Sequence, residues 1–238
     1  MLRKLLRLTR GQTSLRPTAD PPGRLGGVSE QEIETAEPTV EPGAIGVYYR
    51  ERWNRITAWV LVIGGVIGFG AAFIITLDKL KILADPNYVP SCTIGQVLNC
   101  GTVMTSWQAG LFGFPNPLIG LAAFAMVVTA GVGIFAGARY ANWYWAILQL
   151  GVTLALAFVF WLIYSSVYDI RKLCLYCMIV WAVTIAMFVV VTVRNIIASR
   201  AEPSPRLRAV AGFVPLIVIV AYMIVAGIIL DQFWTLFF

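Results

Sequence analysis

Five apolar runs dominate the chain, over roughly 57–77, 117–138, 143–165, 173–193 and 209–230. Each is about 21–23 residues long, and about 20 helical residues rising 1.5 Å each cross the ~30 Å hydrocarbon layer of a bilayer. None contains Asp, Glu, Lys or Arg, and Gln149 is their most polar side chain. The pattern predicts an all-α integral membrane protein with five transmembrane helices. Short joints make the second, third and fourth runs antiparallel neighbours. Gly64 and Gly68, and Gly133 and Gly137, are spaced four apart and suit close helix packing. Pro215 lies in the first turns of the last run and starts or bends it.

The polar positions between the runs set sides. Arg50, Arg52 and Arg55 precede the first run, Arg139 follows the second, and Arg194, Arg200, Arg206 and Arg208 follow the fourth. The other side holds only Lys79, Lys81, Arg171 and Lys172. The excess of positive charge on cytoplasmic loops predicts a cytoplasmic N-terminus and an exterior C-terminus. The one long outward loop, over roughly 78–116, carries Pro86, Pro90, Gly95, Gly101, Gly110, Gly113 and Pro115, which suggests short helical pieces and turns on the membrane face. Residues 1–45 are rich in Pro, Gly, Arg and Glu and read as a disordered cytosolic tail, with a membrane-surface helix over the first eight residues as the alternative. Only 13% of the 238 residues are charged, so the net charge of +6 reports orientation rather than a nucleic-acid partner.

Four cysteines are placed on one side by this topology, and the chain has no histidine. Cys92 and Cys100 lie in the outward loop with seven residues between them; Cys174-Leu175-Tyr176-Cys177 opens the fourth run. On a helix, Cys-x-x-Cys brings two sulfurs to one face, and such pairs often contain a thiol of lowered pKa. Cys177 would lie about 4.5 Å deeper than Cys174. Cys174 is then the sulfur a loop reaches, and Cys177 the one a lipid-dissolved electron acceptor reaches. The Cys92/Cys100 pair suits a mobile, wet loop that meets a soluble partner, and exchange would pass through mixed disulfides. Competing readings are a set of structural disulfides, incidental buried cysteines, and a zinc site. Zinc fits the two-residue spacing but not the seven-residue one, so no metal is expected. A small transporter or assembly subunit is a rival of another class, disfavoured for ion transport by spans without charge.

Cys92-x7-Cys100, Ser106 six positions on, and Cys174-x-x-Cys177 at the head of a later span together resemble the vitamin K epoxide reductase family. Phe112-Gly113, and Asn116 followed by Gly120, fall at the family's offsets, and Trp181 stands where vertebrate members carry tyrosine. The resemblance covers about residues 55–195. It implies a four-helix transmembrane bundle around a quinone, with the fifth span peripheral, inside a transmembrane domain over 46–238. It implies a quinone-dependent thiol–disulfide oxidoreductase in which electrons pass from a DsbA-like thioredoxin-fold partner to Cys92/Cys100, then from Cys100 to Cys174/Cys177, then to a quinone of menaquinone or ubiquinone type. Asn116 would hydrogen-bond a quinone carbonyl, Ser106 would hold the loop over the site, and Trp181 and Phe112 would line the ring pocket. The other readings are a helix cap for Asn116, with Pro117 at the first helical position, a turn residue for Ser106, and an interfacial belt or core packing for the aromatics. Trp107, Trp143 and Trp145 read as interface anchors. Several bacterial members carry a fused thioredoxin-like domain after the fifth span. This chain stops at Phe238, which implies a separate extracytoplasmic partner in a bacterial inner membrane. Nothing in the sequence argues for epoxide reduction.

Overall fold

The computed structural model describes residues 44–200 and 202–237. All but the last two residues of the expected tail lie outside them. The five expected spans are all present as long apolar helices.

Helix α1, Ala44–Ala84, has 41 residues, about 60 Å at 1.5 Å per residue and roughly twice a bilayer's apolar depth. Hydropathy placed its ends too close together. No proline interrupts the stretch between Pro42 and Pro86, so the polar turns on either side of the apolar run continue the helix. Asp78, Lys79 and Lys81, assigned above to a loop, are therefore helical.

The connection after α1 contains α2, Cys100–Thr105, and a 3₁₀ turn over Trp107–Gly110. Asn99 caps α2 by accepting from the Thr102 N–H at 3.0 Å. Helix α3, Pro117–Phe135, starts with proline at its first position. Its end is turned by Gly137 at φ +83°. Gly137 thus serves a turn, not the helix packing expected of it. Helix α4, Asn142–Tyr164, runs on into a π-helical turn over Ser165–Ile170. The short joint between the third and fourth runs is largely this widened helix, which stops at Arg171 with φ +52°. Helix α5 spans Leu175–Ala198, and α6, Pro205–Gly212, leads into α7, Val214–Phe237.

Helix α1 is the axis of the bundle and packs on α3 and α5. Gly68 lies so close to the Phe124 ring that a Cβ there would overlap it. A Cβ on Gly64 would meet Met187 at 2.9 Å, and one on Gly131 would meet the Ala58 carbonyl at 3.0 Å. Leu61, Phe124, Val127, Val152, Met187 and Val191 fill the space between the helices. Helix α4 packs on α5, and α7 touches the bundle mainly through α5. The Tyr222 hydroxyl donates to the Ala182 carbonyl at 2.8 Å, and Phe233 is buried below the π-turn. Val214 is buried at the start of α7, and most of the helix's other described side chains are exposed, as expected of a peripheral fifth span.

At one end of the bundle, Arg194 is buried. Its Nε donates to Asn54 at 2.8 Å and its Nη1 to Asn195 at 3.1 Å. Its guanidinium lies 3.4 Å from the centre of the Trp145 ring. Trp145 is 5% exposed, so it is a core residue holding a cation rather than an interface anchor. Trp143 and Trp107 are exposed.

Candidate functional site

The four cysteines meet at the opposite end. A one-residue parallel bridge pairs Leu98 with Leu173. Within it the Asn99 N–H donates to the Leu173 carbonyl at 3.0 Å, and the Leu173 N–H donates to the Val97 carbonyl at 2.9 Å. The Lys172 ammonium reaches the Gln96 carbonyl beside it. Leu98 stands two residues before Cys100 and Leu173 one before Cys174, so the bridge delivers both cysteines to the same spot.

The sulfurs of Cys92, Cys100 and Cys174 all lie within 4.8 Å of one another. Cys92 and Cys100 form a disulfide, and Cys174 and Cys177 are free thiols. Such proximity would suit a metal ion, but a thiolate ligand must be free and two of these sulfurs are bonded to each other. Ile75, Val103 and Met104 pack around the three sulfurs, and Ile82, Tyr176 and Cys177 border them. Cys92 is 3% exposed and Cys100 fully buried. The expectation of a wet, accessible outer pair is thus corrected: the loop folds its disulfide inward over the helix ends.

Cys174 sits at the N-cap of α5 in extended conformation. The Cys177 thiol, then the N–H groups of Cys177 and Tyr176, face its sulfur and hold its thiol below the ordinary value, while burial and the Asp78 carboxylate act the other way. Negative charge at a helix N-terminus is favoured by the free N–H groups and the helix dipole. Cys177, one turn along, borders both the sulfur cluster and a second group of side chains containing Trp181, Val159, Ile163 and Leu173. Trp181 is 3% exposed.

The other expected site residues are placed as follows. Asn116 has helical backbone and makes no side-chain cap. Its Nδ2 donates to the Gln108 carbonyl at 2.6 Å, and its Oδ1 is buried with no partner. Ser106 links α2 to the 3₁₀ turn, with its hydroxyl donating to the Val103 carbonyl at 2.8 Å. Phe112 is 54% exposed and packs on Phe114 and Phe158, in an aromatic group that continues through Trp161 to Trp107. Asp78 was not singled out from the sequence. It is 5% exposed; its Oδ1 accepts from the Tyr88 hydroxyl at 3.0 Å, and its Oδ2 is buried without a partner. The available signal was an acid one residue past an apolar run, three positions after a core isoleucine.

A multi-helix membrane core with two cysteine pairs brought together at one end defines a membrane-embedded thiol–disulfide oxidoreductase. The vitamin K epoxide reductase family matches residues 59–192, more than half of the chain, and the protein belongs to that family. Its members use quinones in thiol–disulfide chemistry. The comparison with curated proteins gives no match.

Proposed function

We propose that this protein reoxidises an extracytoplasmic DsbA-like thioredoxin-fold protein and so supports disulfide formation. Electrons pass from the partner to Cys92/Cys100, on to Cys174/Cys177, and then to a membrane quinone of menaquinone or ubiquinone type. The excess of basic residues at the Arg194 end supports a bacterial inner-membrane placement with that end and the N-terminus cytoplasmic, and the cysteines outside.

The observation that carries the reading is the approach of Cys174 to the Cys92–Cys100 disulfide, within 4.8 Å. Exchange needs only that one sulfur attack along the axis of a neighbouring disulfide. Cys100 is the sulfur proposed to attack Cys174, since the backbone bridge fixes these two. Cys177 lies between this cluster and the Trp181 side chains. That position suits the sulfur that faces an electron acceptor in the apolar layer.

The buried, unpartnered Oδ1 of Asn116 and the buried indole of Trp181 fit a flat, polar-edged ring. Asn116 would hold a quinone edge and Trp181 line the ring; a bound quinone supplies the acceptor for two electrons and two protons. With Nδ2 committed to Gln108, the free carbonyl of Asn116 accepts a hydrogen bond, which matches a hydroxyl better than a ketone. The side chain therefore favours the reduced ring, a direction that assists reduction. Ser106 holds the turn between Val103 and Asn116 over the site, and Phe112 closes its outer aromatic edge.

The test is quinol formation by purified protein given a reduced thioredoxin-fold donor and a short-chain quinone. Cys177→Ala is expected to abolish it. Cys92→Ala is expected to block the protein donor while sparing reduction by a small dithiol. Full turnover by Cys177→Ala would refute the scheme.

A further inference from the structure

We propose that Asp78 is the proton carrier for thiol–disulfide exchange between the two cysteine pairs. The inference rests on the relay argued above and adds a residue to it.

Three observations lead to Asp78. Ile75 and Ile82 both pack on the sulfur cluster, and Asp78 lies between them at i+3 and i−4, on the same face of α1. Its carboxylate is close enough to act electrostatically on Cys174. One oxygen is held by Tyr88, whereas the other is buried with nothing to accept from. A buried carboxylate oxygen left without a donor is expensive and calls for an explanation. An oxygen kept free to take a proton supplies one.

The exchange needs such a group. Overall, the Cys92 and Cys100 thiols and the Cys174–Cys177 disulfide become the Cys92–Cys100 disulfide and the Cys174 and Cys177 thiols. One S–S bond breaks, one forms, and two electrons and two protons cross from one pair to the other. The Cys100 thiol gives its proton to Asp78 and attacks Cys174; Cys177 leaves as a thiolate. The Cys92 thiol gives its proton to Cys177 as it attacks Cys100, and Cys174 leaves as a thiolate. Asp78 then returns its proton to Cys174. The sulfurs of Cys92, Cys100 and Cys174 are each buried, so bulk water is a poor carrier for these transfers.

The other titratable and charged groups around Asp78 are accounted for. Tyr88 donates to it from the loop leading to Cys92. Tyr176 borders the sulfurs from α5. On α1 itself, the Lys79 ammonium donates to the Met104 carbonyl at 2.8 Å, and that of Lys81 lies over the Tyr88 ring. Neither lysine is placed to neutralise the free oxygen.

The experiment is a single turnover without quinone. Fully oxidised protein is mixed with reduced thioredoxin, quenched in acid, tagged at free thiols and mapped by peptide mass. In the wild type, thiols move from Cys92/Cys100 to Cys174/Cys177. Asp78→Asn keeps the Tyr88 hydrogen bond but cannot take the proton. It is expected to slow the transfer about 100-fold, with Tm unchanged. Asp78→Glu is expected to recover most of the rate. Tyr88→Phe, which removes only the tether, should keep most of the rate. A wild-type rate in Asp78→Asn would overturn the proposal. So would equal losses in both Asp78 variants accompanied by a lowered Tm, the mark of a mere latch for Tyr88. If thiols never leave Cys92/Cys100 in the wild type, the relay itself fails and takes the role of Asp78 with it. Relay at equal rates in wild type and Asp78→Asn removes only Asp78.

Discussion

The two ends of the bundle both bury polar groups, but they treat them differently. At the Arg194 end the groups are joined to one another: Arg194 donates to Asn54 and Asn195, Asn195 donates to Gln149, and Gln149 donates to Thr192. At the cysteine end, Asp78, Thr93 and Asn116 each bury an oxygen with no partner. Thr57, on the Arg194 half of α1, is the one such atom elsewhere among the described residues. A closed network rigidifies and holds helices in register. Buried lone pairs left unused at the cysteine end are the capacity for a proton or a ligand that the proposed relay calls for. The comparison teaches that one end of this molecule is built to stay fixed and the other to react.

The sharpest way to break the contrast is to remove the sulfur proposed to react. Cys174→Ser is expected to reduce quinol formation to background while shifting Tm little, because serine is nearly isosteric and sits at a helix cap position that serine favours. Retained turnover would place the chemistry elsewhere. The reverse experiment belongs to the other end. Arg194→Met removes two charge-assisted hydrogen bonds and the contact with Trp145, at an expected loss of about 2–4 kcal/mol of stability. At a temperature where the variant is folded, turnover should remain near wild type. A variant of normal Tm but lost activity would show that the fixed end is part of the catalytic machinery.

What the sequence made legible follows from the same division. The spans could be read because about 20 uncharged residues in a row have few other uses. The cysteine pairs could be read because Cys-x-x-Cys at the mouth of a span has few structural reasons to exist. The backbone bridge between Leu98 and Leu173 left no trace, since it pairs single residues far apart in sequence with no alternation to announce it. Hydropathy also hid where α1 ends. It reports contact with lipid, whereas the helix continues wherever backbone and side chains permit. That error put Asp78 into a loop, where a carboxylate is ordinary, instead of on a buried helix face, where it is not. The same bookkeeping counted Arg194 as a cytoplasmic loop charge, so its burial against Trp145 went unseen. Asn116 and Ser106 were placed in the right segment. Which of their lone pairs are occupied depends on carbonyls that only the folded loop presents.

Between the two ends, the glycines of α1 and α3 test whether packing transmits anything from one to the other. A Cβ on Gly131 would meet Val62 at 2.7 Å and the Ala58 carbonyl at 3.0 Å. A carbonyl on a central helix cannot swing aside as a side-chain tip can, so the helices themselves must separate. Gly131→Ala is expected to lower stability by about 1–3 kcal/mol, read as Tm in detergent, with the exchange rate between the cysteine pairs unchanged.

The smallest expected effect comes from a single link of the closed network. Gln149→Leu removes the donor to Thr192 at 3.0 Å and the acceptor for Asn195 at 3.1 Å. Interhelical hydrogen bonds in membrane proteins average about 0.6 kcal/mol. Asn195 also donates to the Trp145 carbonyl at 3.4 Å, so its amide is not left wholly unpaired. The expected loss is about 0.5–1.5 kcal/mol, with quinol formation at the wild-type rate. Combining Gln149→Leu with Arg194→Met sharpens the result. If the network acts as one unit, the double variant loses clearly less than the sum of the two single losses, because each has already loosened Asn195. Strict additivity would mean that the hydrogen bonds at this end are separate contacts, and the contrast with the cysteine end would then rest on burial alone.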